Sequence, residues 1–197
     1  MSKSHPIIIG ISGIAGAGKS TLIKKLAEAL HATTLFWDDY DEISSGPKDY
    51  VEWYKSSRDY DEWVYAALAN TLKKLKEEKK VVCPATKKEL VPTKYILLDA
   101  PLGYCHKATG QHIDFLICLD TPPDIALARR LLRDHQSHSE CKKMKEDLEY
   151  YLAYSRPLFI LTSEQKKSDL LLNGSLPLEK QEQIVLHALR EINRINQ

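Results

Sequence analysis

Gly13-Ile14-Ala15-Gly16-Ala17-Gly18-Lys19-Ser20 fills every constrained position of the spacing G-x-x-x-x-G-K-[ST]. Glycines at this density let backbone N–H groups close around a phosphate chain where a Cβ would collide. Lys19 reaches the β- and γ-phosphates from such a loop, and the Ser20 hydroxyl is placed to ligate Mg²⁺. Thr21 adds a further phosphate contact. A helix that begins there turns its positive end toward the same negative charge. The pattern predicts a nucleoside triphosphate bound together with magnesium.

Transfer of a phosphoryl group to an alcohol needs more than a phosphate cradle. It needs a carboxylate to orient the hydroxyl and take its proton, cations over the transferred oxygens, and a held metal ion. Asp38 closes the run Thr33-Thr34-Leu35-Phe36-Trp37 and is placed to meet an acceptor hydroxyl, with Asp39 the alternative for the same role. Asp99 closes Tyr95-Ile96-Leu97-Leu98 and is the natural acidic partner of Ser20 and magnesium. Arg129, Arg130 and Arg133 crowd the end of one helical pattern, and Arg156 follows a second. The guanidinium fork binds phosphate bidentately and keeps its charge. Aspartates after strands also serve as turn residues, and arginines at a helix end also complement its dipole.

The elements that must position these groups are legible from periodicity. Residues 7–11 form a β-branched run before the loop, and Leu22, Ile23, Leu26 and Leu30 follow it at helical spacing. Further strands are predicted at 33–37, 95–99, 115–119 and 169–172. Helices are predicted over 61–79, where Val64, Leu68, Leu72 and Leu75 share a stripe, from Pro123 in a first turn, over about 140–154, and over 178–195. Strands alternating with helices imply a parallel sheet covered on both faces, with ligands at the carboxyl ends of the strands. The polar stretch 134–140 predicts a lid whose closure would exclude water. Tyr40, Trp53, Tyr54, Tyr60 and Trp63 lie where an acceptor would stack, or simply pack.

Composition narrows the partners. A chain of 197 residues with net charge +1 gives no overall attraction to nucleic acid or an anionic membrane, and no apolar stretch has the length of a span. A cytoplasmic location, and one domain over residues 1–197, are the expectations. Cys83, Cys105, Cys118 and Cys141 lack C-x-x-C spacing and are expected as free, buried thiols. Cys105-His106 with His112 matches no structural zinc spacing, so a polar loop is expected there. The mixed charges at 73–80 read as a solvated helix face.

Several stretches together resemble the uridine kinase and phosphoribulokinase family. They are the loop with Lys19, Trp37-Asp38-Asp39-Tyr40, Leu119-Asp120-Thr121-Pro122 leading into 128–134, Tyr154-Ser155-Arg156-Pro157, and Ser168-Asp169-Leu170 with Asn173-Gly174. The resemblance implies an α/β P-loop NTPase fold of nucleoside/nucleotide-kinase type: a parallel five-stranded sheet flanked by helices, with a helical lid over 129–156 and an acceptor-binding insertion over 38–64. It implies MgATP as phosphoryl donor, Asp38 as base, Arg129, Arg130 and Arg133 in the lid, Arg156 near the phosphates, and frequent homo-oligomers. Two departures leave the acceptor open. Asp99-Ala100-Pro101 stands where glutamate and glycine are usual, and the uracil- and ribose-holding signatures are only faintly echoed by residues 59–63 and Pro84. A nucleoside monophosphate, pantothenate or a sugar acid is therefore an alternative acceptor, and a nucleotide-dependent regulatory ATPase is an alternative outside metabolism.

Overall fold

The computed structural model describes residues 5–136 and 141–195. In chain order the elements are β1 (Ile7–Ser12), α1 (Lys19–Leu30), β2 (Thr33–Leu35), α2 (Tyr50–Lys55), α3 (Ala66–Lys76), β3 (Val81–Val82), β4 (Glu89–Leu90), β5 (Tyr95–Asp99), α4 (Lys107–Gly110), β6 (Phe115–Asp120), α5 (Pro123–Asp134), α6 (Cys141–Tyr150), β7 (Leu170–Asn173) and α7 (Leu178–Ile195). Five strands form one sheet in the order β2-β5-β1-β6-β7, and every pairing is parallel. β3 and β4 make a separate antiparallel hairpin at 81–90.

Central strands of such a sheet are apolar on both sides because helices cover both, and the alternation of side chains divides them between two cores. Ile9 and Ile11 of β1, Leu97 of β5 and Ile117 and Leu119 of β6 pack with Leu22, Ile23 and Leu26 of α1 and with Val185 and Leu189 of α7. Ile8, Ile96, Leu98 and Leu116 point the other way, onto Leu68, Leu72 and Leu75 of α3. Each fully buried aliphatic side chain contributes about 1.5–3 kcal/mol, so truncating Ile9 would expose the helix-facing core to a cavity cost of about 2–5 kcal/mol. The β6–β7 edge is tied by Asp169, whose carboxylate accepts from the Leu116 N–H at 2.8 Å and from the Tyr104 hydroxyl at 2.6 Å.

Several boundaries differ from those read off the sequence. β2 stops at Leu35, because Trp37 is already in the helical region and caps a 3₁₀ turn over Asp38–Ile43. The helix expected over 61–79 spans only Ala66–Lys76; Val64 is 52% exposed and instead bridges to Ser45 in extended geometry. The segment after α6 widens into a π turn at Tyr151–Ser155 and a 3₁₀ turn at Arg156–Phe159. Residues 137–140 of the expected polar lid lie outside the described residues. Cys83 and Cys118 are buried, but Cys105 is half-buried and Cys141 exposed, so the expectation of four buried thiols is corrected; none of the four forms a disulfide. Among the described residues no helix is long and apolar enough to cross a membrane.

Candidate active site

Because β1, β5 and β2 run parallel, their carboxyl ends open on one edge, and a cleft of about 730 Å³ lies there. Its floor is the turn between β1 and α1. Gly13 has φ +142° and an added Cβ would stand 2.8 Å from the Leu119 carbonyl oxygen; Gly16 has φ +80° and its Cβ would stand 2.1 Å from the carbonyl oxygen of Ala126 in α5. Both positions demand glycine for backbone conformation and for close approach. Gly13, Ala15, Gly16, Gly18, Lys19, Ser20 and Thr21 line the cleft. Ile14 and Ala17 are buried and take part through their carbonyls. Lys19 Nζ folds back to donate to Ile14 O at 3.3 Å. Ala17 O accepts from Thr121 Oγ1 at 3.0 Å and from Arg129 Nη1 at 3.3 Å.

The arginines of α5 divide by helical geometry. Arg129 and Arg133 are four residues apart and share a face, and both line the cleft. Arg129 is fixed by a second carbonyl, Gly174 O, at 3.0 Å, which anchors α5 to the end of β7. Arg133 Nε donates to Asp134 Oδ1 at 2.7 Å, a bond that holds the Asp134 carboxyl below its usual range. Arg130 turns away. It donates to Asp134 Oδ2 at 3.4 Å, lies 5.6 Å from the Phe159 ring, and borders a second cavity of about 610 Å³ between α5, α6 and residues 48–51. Arg156 opens the exposed 3₁₀ turn after the π turn and lines neither cavity.

Asp99 sits at the end of β5, only 5% exposed, and the Ser20 hydroxyl donates to its Oδ2 at 3.4 Å. Its Oδ1 is buried with no hydrogen-bond partner among the described residues. Burial is the main reason its carboxyl pKa is raised; Lys19 opposes the shift and the charge of Asp38 adds to it. A carboxylate oxygen left without a partner beside a hydroxyl and a phosphate loop is a costly arrangement for the protein alone, and one that a divalent cation would satisfy.

The 3₁₀ turn Asp38–Ile43 distinguishes its acidic residues. At three residues per turn, positions i and i+3 eclipse, so Asp38 and Asp41 share a side. Both line the cleft, while Asp39 does not and Tyr40 is buried, its hydroxyl 3.3 Å from Cys83 Sγ. The wall beyond them consists of Trp37, Tyr50, Trp63 and Tyr65. Trp37 stacks on Tyr65 at 3.8 Å, and Tyr65 donates its hydroxyl proton to Asp41 Oδ1. Tyr50 lies 5.2 Å from Trp63, whose buried Nε1 has no hydrogen-bond partner among the described residues.

Of the five aromatic residues singled out in the sequence, Trp63 lines the cleft. Trp53 instead packs against Tyr60 and donates to Asp59 O at 2.9 Å, and Tyr54 supports Arg58. Trp37, Asp41, Tyr50 and Tyr65 were not singled out for the site; the i, i+3 spacing of Asp38 and Asp41 was the signal for one of them. His106 is buried with Nδ1 2.8 Å from Thr109 Oγ1 and Nε2 2.7 Å from Trp63 O, so both ring nitrogens are engaged in structure. Among the described residues no group of three or more His, Cys, Asp or Glu is arranged to hold a metal ion.

The AAA domain family model matches residues 9–151. The uridine kinase of Borrelia turicatae is 30% identical over 160 residues, which is 76% of this chain and 76% of that protein. The uridine kinase of Tolumonas auensis is 30% identical over 188 residues, 85% of this chain and 86% of that one. Among solved structures, a possible uridine kinase from Bacillus stearothermophilus shares the fold with a TM-score of 0.50 at 17% identity, covering 87% of this chain and 90% of that chain.

Proposed function

The chain belongs to the AAA-domain P-loop proteins and, within them, to the uridine kinase-like kinases, and from that premise we propose that it transfers the γ-phosphoryl group of MgATP to a hydroxyl of a small molecule. The observation that carries this reading is the meeting, in one cleft, of a phosphate loop with Lys19, two arginines of α5 and the carboxylate of Asp38. A motor or switch needs the first of these; an acceptor hydroxyl gives a reason for the last.

In this reading residues 13–21 cradle the triphosphate, and segment 38–64 holds the acceptor against it. Asp38 accepts a hydrogen bond from the attacking hydroxyl, aligns its oxygen with the γ-phosphorus, and takes its proton as the new O–P bond forms and the bond from the γ-phosphorus to the β-phosphate oxygen breaks, releasing ADP. Lys19 and Arg133 stabilise the charge that spreads over the transferred oxygens. Arg129 contributes less directly, because its donors are committed to Ala17 O and Gly174 O; it keeps the loop and α5 in register. Arg130, paired with Asp134 four residues on, stiffens the last turn of α5. Asp38 is preferred to Asp39 as base because only Asp38 shares the cleft side of the turn. Ser20 and Asp99 would hold the magnesium ion, which supplies neutralisation of the β- and γ-phosphate charge.

The test is ADP release from MgATP with and without a panel of nucleosides, ribosyl compounds and hydroxy acids. Stimulation by an acceptor at least about tenfold above background, with stoichiometric phosphorylated product, is the expected result. Tight ATP binding with a slow release that no acceptor stimulates would instead support a regulatory ATPase.

A further inference from the structure

The cations of the cleft are Lys19, Lys24, Arg129 and Arg133, supplied by the phosphate loop, α1 and α5. Segment 37–65, which forms the opposing wall, contributes Trp37, Asp38, Asp41, Tyr50, Trp63 and Tyr65 and no cation at all. The wall of segment 37–65 thus presents carboxylates and aromatic rings, and the positive charge that reaches it is Arg133 of α5, which interacts with Asp38 across the cleft.

Asp41 is the unassigned carboxylate of this wall. Its Oδ1 is clamped by the Tyr65 hydroxyl, and Tyr65 is itself buried and stacked on Trp37. Burial, and then the bond to Asp41, push the Tyr65 hydroxyl up, so it remains a donor throughout the working pH range. The clamp fixes the carboxylate's orientation, and Oδ2 carries no protein hydrogen bond among the described residues. A carboxylate held in this way, three residues from the base and on its side of the turn, is equipped to accept from a second donor on the same acceptor.

We infer that Asp41, positioned by Tyr65, determines acceptor specificity: it accepts a hydrogen bond from a donor group near the phosphorylated hydroxyl and excludes acceptors carrying a negative charge. An anionic group against this wall would face two carboxylates with no counter-charge from segment 37–65, whereas a neutral or cationic one would meet carboxylate and aromatic faces that favour it. The inference rests on the kinase reading and narrows it, disfavouring sugar acids, pantothenate and nucleoside monophosphates.

The experiment measures kcat and KM with MgATP for matched acceptor pairs that differ in charge: uridine and orotidine, pantothenol and pantothenate, glucose and gluconate. The wild-type chain is expected to prefer the neutral member of whichever pair it uses. In Asp41→Asn, KM for that member rises about tenfold with little change in kcat, and the preference for neutral over anionic falls at least about tenfold. Tyr65→Phe, which keeps the charge and loses the clamp, raises KM but retains the charge preference. Asp41→Glu retains it too, so a merely structural role for Asp41 is separable from recognition. If wild type transfers phosphate but prefers anionic members, or if Asp41→Asn keeps both KM and preference, the inference falls and the kinase reading stands. Transfer by wild type to none of the six overturns both.

Discussion

The two halves of the cleft are built by different means. The half that we read as the phosphoryl donor's is ordered by main chain: glycines whose Cβ positions are filled by Leu119 and Ala126 carbonyls, and a lysine and an arginine whose side chains are held by carbonyl oxygens. The half that we propose for the acceptor is made of side chains on short turns: two aspartates of a 3₁₀ turn, and four aromatic rings from Trp37, Tyr50, Trp63 and Tyr65. Backbone geometry tolerates almost no substitution and suits a ligand that never changes. Side chains on turns re-aim with each substitution, which suits the half that must tell one acceptor from another.

The largest effect that would test this division is at Asp38. Asp38→Asn is expected to lower kcat by about 10²–10⁴-fold while leaving the ATP dissociation constant within about twofold, measured by initial rates and calorimetry on the same preparation. Asp39→Asn, one residue on and outside the cleft, is expected to leave both within about twofold. Equal losses in the two variants would mean that the turn, and not one side chain, carries the effect. Next in size is Gly16→Ala. With Ala126 O only 2.1 Å from the new Cβ, α5 must shift away from the loop. ATP affinity should fall about 30-fold and the melting temperature several degrees, with acceptor KM nearly unaffected. A loss confined to the acceptor side would break the division of labour.

The same contrast explains what could be seen in the sequence. The phosphate-loop half was legible because such a loop needs particular residue types at consecutive positions, and the three central strands β1, β5 and β6 because burial on both faces demands apolar runs. The acceptor half was not. Trp37 looked like the end of a strand, but its backbone is already helical, and Val64 fitted a helical stripe that extended pairing with Ser45 overrode. Trp53 and Trp63 are equally plausible stacking residues as letters, yet one is committed to Asp59 O and the other faces the cleft. Tyr65 meets Asp41 at a sequence separation of 24, a contact that no local periodicity encodes. The hairpin 81–90 went unread because its paired strands are only two residues long.

A smaller effect should distinguish the arginines. Arg133 lines the cleft, whereas Arg156, which the family resemblance places near the phosphates, is exposed and lines neither cavity. Arg133→Ala is expected to lower kcat about tenfold and Arg156→Ala less than about twofold. Matching losses, with the Arg156 effect appearing only when both substrates are saturating, would show that the lid closes far enough to carry Arg156 onto the phosphates, and the donor half would then include a moving part.

The smallest expected effect concerns Asp99, where the two halves meet. Burial chiefly, and Asp38 secondarily, raise its carboxyl pKa, so it keeps its proton to higher pH than an ordinary aspartate. A metal requires the ionised form, so the magnesium requirement for activity should increase as pH falls toward the raised folded-state value of this carboxyl, after correction for ATP protonation. The stability sign is opposite. A carboxyl whose pKa is higher folded than unfolded favours the folded state at low pH and loses that contribution as pH rises through the folded value. Asp99→Asn should therefore raise the melting temperature of the nucleotide-free protein by a few degrees at pH 7.5, while raising the magnesium requirement and removing this part of its pH dependence. A variant that is instead destabilised at that pH would mean that the Ser20 bond and Lys19 already outweigh burial, and Asp99 would then be an anchor for the loop and not an ion site awaiting its metal.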